Sequence, residues 1–182
     1  MIIAMMALAL GAGQTPRTPD FTEADVVAVE ACVSRADSKG DCPGAEAATR
    51  ASITCMTGLP SDASEADLGV CLTTITDRCV GPYASTTSAM NALGIRLCSA
   101  RSTAGVQAAV ADWFERARVR LPAPVYGQYV AVYATAGPRA EEQVAAATET
   151  DELSRPLQRT AVRAGVWSSF ASFLWQAERS ES

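Results

Sequence analysis

Six cysteines, Cys32, Cys42, Cys55, Cys71, Cys79 and Cys98, are the residues of this 182-residue chain best equipped for chemistry. A dithiol redox catalyst carries a C-x-x-C pair, and no two cysteines here have that spacing; the nearest neighbours are Cys71 and Cys79. Structural zinc sites favour the same close knuckles, often with histidine, and the chain contains no histidine. That absence also excludes Ser-His-Asp and Cys-His catalysis and any His-ligated metal. An even number of cysteines behind an apolar N-terminal run points to three structural disulfides, whose pairing stays open among fifteen connectivities.

The remaining reactive types form no arrangement. Glu141, Glu142, Glu149, Asp151 and Glu152 are numerous enough for carboxylate catalysis, which needs two acids across a cleft and one raised pKa. Their neighbours are alanine, threonine and arginine, without glycan-binding aromatics, so a solvated helix face is the better reading. Trp113, Trp167 and Trp175 each fall within a helical apolar pattern and belong in a core. Lys39, the single lysine, sits in a turn with no motif that would make it the base for a serine, and the glycines build no phosphate-cradling loop. No catalytic residue, cofactor or metal is expected, and the chain reads as a non-enzyme.

The elements that must position these residues read as helices throughout. Thr22 precedes a helix with Glu23 and Asp25 in its first turn and an apolar stripe of Val26, Val29, Cys32 and Val33. Ala45–Met56 and Ser64–Asp77 follow as helices, and Cys79–Ser88 as a turn-rich stretch. A short helix over Met90–Leu97 leads to Cys98; Ser102 or Thr103 then caps another over Val106–Leu121, burying Val106, Val110, Trp113, Phe114 and Ala117. Val125–Tyr133 is compatible with a strand, but Pro124 near a first turn favours a helix. Pro138 is expected to open one more helix and Pro156 the last, with Val162, Val166, Phe170, Phe173 and Leu174 on its buried face. The fold class is all-α, a disulfide-stapled bundle.

Residues 1–13 read as a signal peptide, with the apolar run Met1–Leu10 too short to span a bilayer of about 30 Å. The usual positive charge at the start is absent, and the competing reading is a buried N-terminal helix. A proline-containing linker occupies 14–20, a cysteine-rich helical region 21–100 and a helical C-terminal region 101–182, read as continuous with it. No membrane span is expected in the mature chain, which would be periplasmic or secreted.

Net charge is −5, which argues against nucleic acid and anionic lipid surfaces as partners. The charge is uneven: Asp20–Cys79 holds eleven acids against four basic residues, whereas Val80–Ala140 holds two acids against six arginines. Arg116, Arg118 and Arg120 alternate on one helix and so spread over its solvent side, with pairing between the two halves.

Cys32, then Asp41-Cys42-Pro43-Gly44, the alanine-rich Ala45–Ala51, Cys55-Met56 and Gly69-Val70-Cys71-Leu72 together resemble the lysozyme-inhibitor LprI-like family of small exported bacterial proteins. The resemblance covers residues 32–72 and rests on cysteine spacing and small residues. Thr73, Thr74 and Ile75 stand where that family continues with a glutamate, Trp113 with Leu121 echoes its later tryptophan helix, and Cys79 and Cys98 are additions. The resemblance implies a disulfide-tied helical fold and a protein that acts by binding, with a basic protein such as a lysozyme as its partner. The acids between Asp20 and Cys79 would supply the electrostatic attraction. The alternatives are a structural or assembly protein of the bacterial envelope with no enzyme target and, well behind, a carboxylate-dependent hydrolase.

Overall fold

The computed structural model describes residues 20–35, 39–146 and 154–180. The signal peptide read over 1–13 and the linker before Asp20 lie outside the described residues, as do Glu149, Asp151 and Glu152. Among the described residues the chain is all-α, without strands. The helices are α1 (Glu23–Val33), α2 (Glu46–Gly58), α3 (Glu65–Val80), α4 (Ser88–Arg120), α5 (Ala123–Ala145) and α6 (Ser154–Ser180), with a 3-10 turn at Gly81–Tyr83.

Two helix starts follow directly from local chemistry. Thr22 accepts a hydrogen bond from the Asp25 N–H, and the Asp25 carboxylate accepts one from the Thr22 N–H at 2.6 Å. Ser64 and Asp67 repeat this reciprocal capping at the start of α3, where the returning bond is 2.7 Å.

The long helix α4 departs from the sequence reading. Instead of two helices divided near Ser102, one runs unbroken from Ser88 to Arg120. Ser102 and Thr103 are buried within it, and Thr103 Oγ1 donates back to the Ser99 carbonyl at 2.8 Å, a use of threonine that needs no helix end. The turn expected over Cys79–Ser88 is also shorter, because Cys79 and Val80 extend α3 and Ser88 opens α4.

All the other helices pack on α4. Its C-terminal half carries Val110, Trp113, Phe114 and Ala117 into a core shared with Leu68 and Leu72 of α3 and Trp167, Phe170 and Leu174 of α6. Its N-terminal half places Leu97, Ala100 and Ala104 against Val26, Val29, Cys32 and Val33 of α1. The α2 crossing is tight: a Cβ on Gly105 would lie 2.6 Å from the Ala48 carbonyl oxygen, so only glycine allows this approach.

Tyr126, Tyr129 and Tyr133 settle the choice between strand and helix for α5. At helical spacing all three reach the aromatic core, with Tyr129 5.2 Å from Trp113 and Tyr133 4.8 Å from Phe114. Pro138 does not open a helix but lies inside α5. It is exposed, as is Ala134, whose carbonyl has no helical partner because proline lacks the N–H. Ala136, Gly137, Ala140 and Val144 are buried on the inner side and carry the helix past the proline. At the far end of α6, Arg179 lies 4.0 Å above the Trp175 ring and donates to the carbonyls of Pro60, Ser61 and Ala63, fastening the helix to the α2–α3 turn.

Candidate functional site

The cysteines pair in chain order. Cys32–Cys42 closes the α1–α2 connection, Cys55–Cys71 ties α2 to α3 and Cys79–Cys98 ties α3 to α4, with Cα separations of 5.8, 5.8 and 5.6 Å. No cysteine is free, so the sulfur serves architecture. Three disulfides suit a non-reducing compartment. No helix among the described residues is long and apolar enough to cross a membrane.

The other sequence candidates do not converge. Glu141 is held by the buried Arg163 through two parallel hydrogen bonds, the longer 2.7 Å, while Glu142 is solvent-exposed. Trp113, Trp167 and Trp175 are core residues, as their patterns implied. Among the described residues no group of three or more acids or cysteines is placed to hold a metal.

A groove of about 650 Å³ lies between α5 and α6. Val132 and Ala136 form the α5 wall, and Val162, Val166, Phe170 and Phe173 the α6 wall. Phe173 corrects the sequence reading: expected on the buried face, it is 44 % exposed and stacks on Phe170 at 6.1 Å, its ring forming groove surface. Gly165 leaves the middle of the α6 wall open, since a Cβ there would meet nothing within 4 Å. The polar groups at the groove are Thr135, Gln143, Ser169 and Arg139. Arg139 is its only charged residue; it is exposed and makes no hydrogen bond or ion pair among the described residues. Sequence reasoning missed this site because Phe173 fits a core stripe and Arg139 follows a proline expected to start a helix.

A second feature is electrostatic. Glu23, Asp25, Glu46, Asp62, Glu65, Asp67 and Asp77, all on α1–α3 and their connections, are exposed. The Thr22 backbone and hydroxyl hold the Asp25 carboxyl below the usual carboxylate range, and Ser64 does the same for Asp67. No family model, no curated protein and no solved structure matches this chain.

Proposed function

We propose that the protein is an exported, non-enzymatic binding protein that holds a fatty acid, an acyl chain ending in a carboxylate, in the α5–α6 groove. The observation that carries this reading is the pairing of an open apolar channel with one unpartnered cation, Arg139, at its side. The volume lies within the range of about 300–1,000 Å³ usual for small-molecule sites. Aliphatic and phenyl walls favour a hydrocarbon chain, and a guanidinium favours a carboxylate through charge-assisted hydrogen bonds. The disulfides support a periplasmic or secreted location.

The test is titration of the oxidised protein, beginning at Gln14, with a fluorescent fatty acid. Saturable one-to-one binding is expected. Gly165→Leu should fill the channel while improving helix propensity, and so abolish binding without loss of fold. Arg139→Gln should weaken binding about tenfold. A Gly165→Leu variant that binds as well as the parent would remove the groove from consideration.

A second reading, inhibition of a basic cell-wall hydrolase such as a lysozyme, is favoured by the exposed acids of α1–α3. Lysozyme activity titrated against the oxidised protein at low and physiological salt tests it. Stoichiometric inhibition that weakens with salt is the expected sign, and its absence would leave the resemblance one of fold.

A further inference from the structure

Arg50 of α2, Arg78 of α3 and Arg101 of α4 come from distant points in the chain to one cleft. Arg50 and Arg78 line a cavity of about 510 Å³, and Arg78 and Arg101 line an adjoining one of about 310 Å³; the two also share Ala47, Ala51 and Ile75. Neither cavity is lined by an acidic residue. Arg50, Arg78 and Arg101 make no ion pair or hydrogen bond among the described residues. Arg101 goes further: its Nε is buried and has no hydrogen-bond partner. Asp25, kept ionised chiefly by Thr22, feels the charge of Arg101 but forms no ion pair with it.

Such a grouping demands an explanation in an acidic protein. Three like charges around one cleft repel, and a buried guanidinium N–H without an acceptor is unfavourable. Arg78 lies in the last turn of α3, where a cation complements the helix dipole, but that accounts for one arginine of the three. The cleft is also rigidly built. Cys79, next to Arg78, is bonded to Cys98, one turn before Arg101, and Cys55–Cys71 ties the helices that carry Arg50 and Arg78. Gly44 completes it, because a Cβ there would lie 2.6 Å from Arg101 Nη2 and push the guanidinium aside.

We infer that this cleft binds a phosphate group. A carboxylate carries one charge and two acceptor oxygens. A phosphate monoester or free phosphate carries about one and a half to two charges and presents at least three acceptor oxygens, which suits a cavity lined by two arginines with a third in the adjoining cavity. The alanine floor leaves space for the anion beside Arg78 and Arg101. This inference does not rest on the α5–α6 groove.

The experiment is a titration of the oxidised protein with inorganic phosphate at low ionic strength, following the arginine Nε–H resonances by NMR. A saturable shift of the Arg101 signal is expected, with a rise in Tm that tracks occupancy. The Arg50→Gln/Arg78→Gln double variant removes two exposed side chains outside the core and should keep its helical spectrum. It should bind phosphate about a hundredfold more weakly, near tenfold for each guanidinium removed. Glycerol phosphate distinguishes the sources: competition with inorganic phosphate assigns the site to a phosphate on a larger molecule, and failure to compete assigns it to the free ion. An Arg101 signal that does not move, a double variant that binds undiminished, or acetate binding as tightly as phosphate would each overturn the assignment.

Discussion

Glu30 on α1 and Arg96 on α4 are joined by two parallel hydrogen bonds of 2.9 and 2.7 Å across 66 residues of sequence. The Thr160 hydroxyl of α6 lies 3.1 Å from the same carboxylate, so one acid is shared by the first, fourth and last helices. The Glu30 carboxylate raises the Arg96 pKa, and both side chains are largely buried. Replacing Glu30 by Gln should therefore destabilise the fold by about 1–3 kcal/mol, because the guanidinium keeps its burial and loses its counter-charge. Urea unfolding of Glu30→Gln, Arg96→Met and the double variant checks this. Strictly additive effects would show that the two residues do not act as a pair.

The three disulfides close loops of different length, with sequence separations of 10, 16 and 19. Paired Cys→Ala replacement at each should cost about 3 kcal/mol, and removing Cys79–Cys98 about 0.5 kcal/mol more than removing Cys32–Cys42. Calorimetry of the three variants gives the ranking. A reversed order would indicate that burial of Cys32 and Cys42 in the α1 core outweighs loop closure.

The two capping carboxylates predict a specific acid response. Asp25 and Asp67 have pKa values lowered in the folded state, so their contribution is present above the unfolded value and lost as pH falls through the folded one. The window opens below about pH 4. Between pH 5 and 2 the Tm of the Asp25→Asn/Asp67→Asn variant should fall less steeply than that of the parent. Parallel curves for the two proteins would mean that other groups govern acid unfolding.

Two aromatic residues six positions apart on α6 should respond oppositely to truncation. Trp167 is almost fully buried among core aromatics, and Trp167→Ala should cost about 3–5 kcal/mol. Phe173, exposed in the groove, should tolerate Phe173→Ser with a loss below about 1 kcal/mol. Equal losses in thermal melts would place Phe173 in the core after all.

What could be read from the sequence was what is local. Thr22 with Asp25, and Ser64 ahead of α3, mark helix starts because the bonds they form span three residues. Trp113, Trp167 and Trp175 reveal burial through periodicity. Sequence and structure diverge where tertiary packing overrides local chemistry. Ser102 and Thr103 have the character of caps, yet packing of α4 against α1 and α2 buries them in mid-helix. Pro138 is a helix breaker by type and is tolerated because its missing bond falls on the solvent side. Phe173 obeys the same spacing as true core residues, and only the opening between α5 and α6 leaves it outside. The arginine cleft was illegible for a different reason: Arg50, Arg78 and Arg101 share no sequence neighbourhood and come to adjoining cavities only when two disulfides and three helices are assembled.

Every cysteine is bonded to its neighbour in chain order, so no covalent loop encloses or crosses another. A chain threaded N-terminus first into an oxidising space presents Cys32 and Cys42 before Cys55 arrives, and Cys55 and Cys71 before Cys79. Thiols joined in order of arrival give the native set, and misjoined intermediates need never form. On the proposed export route, oxidation in that order calls for an oxidase and makes no demand on a disulfide isomerase.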